Sequence, residues 1–177
     1  GILTRTRYNA PGARVMGLTL EGKMAYLTKF QLQAGVTLQQ SHYSEPHVWN
    51  PDAPAVKKMM RTPNTYGYFT ATYTPIKPLS IALSGTYTGS MLVPHEPVPG
   101  FLENPITVNT KDFFDIGLKA AYDFKLYKSM NLQVNAGVQN IFNAYQNDFD
   151  KGADRDSGYI YGPSLPRSFF AGVKISY

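Results

Sequence analysis

Two clusters of aromatic and imidazole side chains offer the chain's best material for binding. His42, Tyr43, His47 and Trp49 fall in one proline-rich stretch, and Tyr159 and Tyr161 in another. Flat rings beside hydrogen-bonding tips suit a ligand that stacks and accepts protons, although the same residue types also pack loops and stand at membrane interfaces. Tyr43, Trp49, Tyr159 and Tyr161 are therefore the ligand-binding candidates. Metal chemistry has thinner support. His95 and Glu96 adjoin, but no third ligand stands in register with them. The run Asn147-Asp148-Phe149-Asp150, with Asp154 and Asp156, invites calcium but lacks the alternating acidic spacing and late Glu of an EF-hand loop. A solvated acidic loop is expected there, and no metal.

Catalysis finds no better footing. Asp115 and Asp123 share a strand face but stand 8 positions apart, too far to grip one bond as acid and base. The chain carries no Ser, His and Asp set, P-loop or dinucleotide fingerprint. With no Cys, disulfide frameworks and Cys-based zinc sites are also excluded. The expectation is a protein that is not an enzyme and uses no cofactor. Its net charge of +5 comes from scattered Lys and Arg, with no basic stripe interleaved with aromatics, so nucleic acid is not an expected partner.

The elements that would position these residues are strands. Tyr and Phe number 13 and 10, Gly 15 and Pro 13, and only 16% of residues are charged, a profile of strands and turns. No apolar run approaches the ~20 residues that a spanning helix needs. A two-residue period recurs at 14–22, 30–41, 66–75, 79–91, 112–124, 131–142 and 167–177. At 30–41, Phe30, Leu32, Ala34, Val36 and Leu38 alternate with Gln31, Gln33, Gly35, Thr37 and Gln39. At the last, Phe169, Ala171, Val173, Ile175 and Tyr177 alternate with Gly172, Lys174 and Ser176. The segment up to Gly12 is polar and turn-rich.

Two regularities join the strands. Connections alternate between short turns and long segments at 42–64, 92–110 and 143–165, as periplasmic turns and external loops alternate in spanning barrels. The apolar faces hold no charged residue, whereas the opposite faces hold Glu21, Asp115, Lys119, Asp123 and Lys174. Hydrocarbon on one side and water on the other would demand that segregation. Mean hydropathy of −0.27 does not oppose it, because each spanning strand is only half apolar. The fold class expected is all-β, an antiparallel transmembrane β-barrel.

Three phrases carry a resemblance. Val15 to Gly22, V-M-G-L-T-L-E-G, resembles a strand of TonB-dependent outer-membrane receptors, with Thr19 where an acidic residue is common. Val138 to Gln146, V-Q-N-I-F-N-A-Y-Q, is similar to the segment ending their penultimate strand, and Tyr161 to Tyr177 to their closing strand. The resemblance implies a C-terminal segment, seven or so strands of a larger barrel, in the cell outer membrane of a Gram-negative bacterium. It further implies energy-coupled uptake of a scarce ligand such as an iron-siderophore complex, cobalamin or a glycan. The implied partners are outer-membrane lipid, the N-terminal barrel strands and plug of the same receptor, the energy-coupling protein and the barrel-assembly machinery. Phe169, Val173, Ile175 and Tyr177 would form the C-terminal assembly signal.

Two alternatives stand beside this reading. One is a complete small outer-membrane barrel, with Ile2 to Arg7 as an extra strand, acting as adhesin or anchor. The other is a soluble β-sandwich binding module whose apolar faces share a core. In a sandwich Leu32, Ile81, Leu118, Val134 and Val173 would meet in one dry interior.

Overall fold

A computed structural model describes residues 12–127, 129–163 and 165–177. The segment before Gly12, including the alternative strand Ile2 to Arg7, lies outside the described residues. Among those described there is no helix, and every strand pairing is antiparallel.

Seven long strands form one up-and-down sheet: β1 (Ala13–Tyr26), β2 (Phe30–His47), β4 (Thr65–Ile76), β5 (Leu79–Thr88), β8 (Phe113–Tyr127), β9 (Met130–Gln139) and β10 (Ser168–Ser176). Short β3 (Val56–Lys58) adds to β2, while β6 (Leu92–His95) and β7 (Ile106–Asn109) form a separate hairpin. Chain neighbours are sheet neighbours throughout, so all short turns gather at one end of the sheet and all long connections at the other.

The register explains the alternation. Directly opposed residues of an antiparallel pair share a face. One row therefore runs Met24, Leu32, Ala71, Leu83, Leu118, Val138, Phe169, and the next runs Tyr26, Phe30, Tyr73, Ile81, Ala120, Ala136, Ala171. On the other face a row runs Glu21, Gly35, Tyr68, Thr86, Asp115. Polar side chains there bond across strands: the Thr19 and Thr37 hydroxyls lie 2.9 Å apart, and the Gln133 amide donates to Asp123 at 2.8 Å. Tyr68 reaches over Gly35 to donate to Glu21 at 3.2 Å. A Cβ at Gly35 would stand 2.7 Å from the Tyr68 ring, so the glycine is the gap through which the two outer strands meet.

Nothing covers the apolar face among the described residues. Leu118 is 40% exposed, Val134 41% and Val173 68%, while Leu32 and Ile81 are half-buried by neighbours on their own face. These five residues share no dry interior, and the second sheet is only the β6–β7 hairpin, so the sandwich is set aside. No pairing joins β1 to β10 among the described residues, and the sheet is not a closed barrel.

Several expected boundaries move, each for a local reason. β1 and β8 run on to Tyr26 and Tyr127, because their registers with β2 and β9 continue into the turns. β9 stops at Gln139 rather than residue 142, since Asn140 takes a φ of 50° and its carboxamide turns to the next connection. The stretches expected to be irregular also hold structure: β2 extends to His47 and pairs with β3, and the 92–110 connection folds into the β6–β7 hairpin.

Candidate functional site: the cap built by the long connections

The long connections converge into a cap at one end of the sheet. Met91, Val93 and Tyr159 form the described residues' one buried apolar cluster, with Val108 and Tyr161 packed against it. Each segment is tied to the others by side chains answering backbone groups. Arg61, held at a φ of 56°, donates its backbone N–H to the Leu92 carbonyl at 2.7 Å. Its guanidinium donates to the Ile160 carbonyl at 3.1 Å and to that of Gly158. Asn50 donates to the Glu96 carboxylate at 2.8 Å, joining the first connection to the second.

Second and third connections meet at His95. Its imidazole stacks on the Tyr159 ring, centroids 3.8 Å apart and planes 4° from parallel, and its Nε2 lies 2.9 Å from Asp150. Both ends of that pair are buried, with side-chain exposures of 7% and 4%. A base meant for an external substrate would need an open approach. This pair is a tie.

Asp148 organises the rest. Its carboxylate accepts from the Tyr159 hydroxyl at 3.0 Å and the Tyr161 hydroxyl at 2.6 Å. Burial alone would raise its pKa, but the donations from Tyr161, Tyr159 and Gln146 outweigh it and hold the carboxyl below its ordinary range. The phenols respond in the opposite sense. Tyr159 is pushed up to about 12, first by burial and then by the bond to and charge of Asp148, and Tyr161 is raised for the same causes. Gln146 clamps the same turn, donating to the Tyr159 carbonyl at 3.0 Å and accepting from the Tyr161 N–H at 2.9 Å.

The acidic run is therefore not merely solvated. Asp150 holds His95 and the Asp156 N–H, and Asp156 holds the N–H groups of Glu96 and Gly158 at 2.9 and 2.7 Å. The carboxylates point at separate donors, and no group of three or more metal-ligating side chains converges among the described residues. His95 and Glu96 likewise turn to different ties.

Of the ligand-binding candidates, the structure brings together Tyr159 and Tyr161, ring centroids 5.5 Å apart. Tyr159 is only 3% exposed, so it packs the cap rather than facing a ligand, and Tyr161 shares that cluster. Tyr43 stands apart beside His47, ring centroids 4.7 Å apart. Trp49 is half-buried, and its indole N–H has no partner among the described residues. The open site is elsewhere: a cleft of about 510 Å³ between the turn at 98–101 and the segment 147–154, walled by Phe101 and Phe149. Phe101 is 77% exposed. The sequence offers no reason to single out Phe101 and shows Phe149 only within the acidic run, because the loop path alone brings the two rings together. On β10, Phe169 is 79% and Ile175 60% exposed, with Val173 on the same face, and Tyr177 just beyond the strand is 99% exposed.

No family model matches the chain, and no curated protein matches it. Among solved structures it is similar to the ferric-catecholate import receptor Fiu from K12 E. coli in its closed form, with a TM-score of 0.63 and 21% sequence identity. The sheet resembles part of a β-barrel receptor. The match covers 91% of this chain but 20% of that one, so the chain spans about a fifth of the receptor's length. At this identity the likeness is one of fold.

Proposed function

We propose that the chain is the C-terminal part of the wall of a TonB-dependent receptor in the outer membrane of a Gram-negative bacterium. It serves uptake of a scarce ligand and performs no catalysis itself. The observation that carries this reading is the bare apolar face, on which the seven strands place one charged side chain, Arg14, at the long-connection end of β1. A face of this kind is stable against hydrocarbon and a liability in water. On β8 it extends from Phe114 to Phe124, ~33 Å along the strand at ~3.3 Å per residue. At a tilt of ~40° that is ~25 Å across the membrane, the height of a barrel's apolar band.

Aromatics stand at both ends of the band. Phe114 contacts Phe69 and Tyr87 at centroid distances of 6.3 and 6.5 Å, and Tyr122 contacts Phe124 at 4.6 Å near the short turns. These suit girdles at the two interfaces. The polar face then lines a lumen, and the cap lies outside. Outer-membrane lipid, the remaining strands and plug, the energy-coupling protein and the assembly machinery are the partners, the last reading Phe169, Val173, Ile175 and Tyr177. That the similar receptor imports a ferric catecholate favours an iron complex over cobalamin or a glycan as ligand.

Single cysteines test the wall cleanly, because the chain has none of its own. Fluorophores at positions 83 and 134 should be quenched by quenchers in the acyl chains, and those at 70 and 135 by aqueous ones. Equal access of aqueous quencher to both sets would end the membrane reading.

A further inference from the structure

Three carboxylates on the polar face of the sheet differ in their partners. Glu21 accepts from Tyr68 and Asp123 from Gln133. Asp115 has no hydrogen-bond or ion-pair partner among the described residues, yet it is half-buried between two adjoining hollows of about 340 and 240 Å³. Pro163, Leu165 and Pro166 line the larger hollow, and Tyr161, Gly162 and Pro163 the smaller. Thr86, directly opposite Asp115 on β5, lines both as well.

Among the described residues, Asp115 is the only charged group lining either hollow. Its neighbours on the face are the hydroxyls of Ser84, Thr86 and Thr88 and the amide of Gln139, which accept hydrogen bonds readily. Lys119 is the next cation along β8, four residues on and so ~13 Å away. A cleft lined by a carboxylate without a counter-charge concentrates cations.

We infer that the hollow around Asp115 binds a small organic cation bearing an ammonium or guanidinium. The cation's N–H donors pair with the carboxylate and the surrounding hydroxyl and amide oxygens, while its aliphatic part lies against Pro163, Phe113 and Tyr161. The larger hollow falls in the range of small-molecule sites. The site depends on the polar face alone and stands whether or not the apolar face meets lipid.

The probe is agmatine, titrated by calorimetry into the full chain in detergent micelles at low salt. Saturable binding is expected, weakened about tenfold or more in Asp115→Asn and kept in Asp115→Glu, since the charge-assisted bonds carry the affinity. It should also weaken as salt rises. Asn keeps the shape of Asp, and unchanged circular dichroism of the variant separates lost affinity from lost fold. Agmatine that fails to bind, or binds Asp115→Asn as well as the parent, overturns the inference.

Discussion

At Asp148 one carboxylate holds two phenols, and each partner's proton affinity records the arrangement. An unfolded tyrosine titrates near ~10, so the neutral Tyr159 hydroxyl contributes fully below that pH. Its contribution declines above ~10 and is lost as pH rises through the folded value of about 12. Asp148 has the opposite sign: its lowered pKa contributes stability above the ordinary carboxylate range, lost as pH falls through the folded value. Titrating phenolate absorbance should therefore show Tyr159 and Tyr161 ionising late. In Asp148→Asn both should move back toward ~10, and the cap should lose about 1 kcal/mol, because water weakens hydrogen bonds to this exposed carboxylate. Unshifted tyrosines in the variant would contradict this account. The sequence showed Tyr159 and Tyr161 as notable rings and Asp148 as one acid among several. It could not show that they meet, because Tyr159 lies 11 positions beyond Asp148 along irregular backbone and nothing periodic sets their path.

Strands were the most legible elements, since a two-residue period states which side chains share a face before any partner is known. Leu118 and Lys119 already point to opposite sides in the sequence. Legibility failed where the backbone leaves the period: Asn140 ends β9 by a left-handed turn, and its carboxamide holds the Ala144 N–H at 2.7 Å and the Leu165 carbonyl at 3.0 Å. It also failed for cross-strand gaps. Gly85 faces Phe69 in the register, and a Cβ at Gly85 would collide with the Phe69 ring. Gly85→Ala should destabilise by about 1–3 kcal/mol in denaturant melts of the micellar protein, with part of the loss recovered by adding Phe69→Leu. Additive losses would mean the two residues do not contact.

For the whole molecule, the apolar face makes an asymmetric prediction about charge. Leu83 sits mid-row on the apolar face, whereas Thr70 stands on the polar one. Leu83→Arg should cost about 2–4 kcal/mol of stability in a bilayer, and Thr70→Arg little. A folding titration in vesicles compares them, and equal costs would remove the distinction between the faces. Composition and period revealed this two-sidedness. The cap was illegible for a different reason: its contacts are between connections far apart in the chain, such as Arg61 with Ile160, and no local pattern encodes them.

The ties through Arg61 and His95 have an immunological corollary. An antibody that recognises the native cap would grip a discontinuous epitope, assembled from segments that are remote in the chain. A linear peptide copied from 143–165 would lack the surface that the neighbouring connections hold in shape, and would make a poor immunogen against the folded protein.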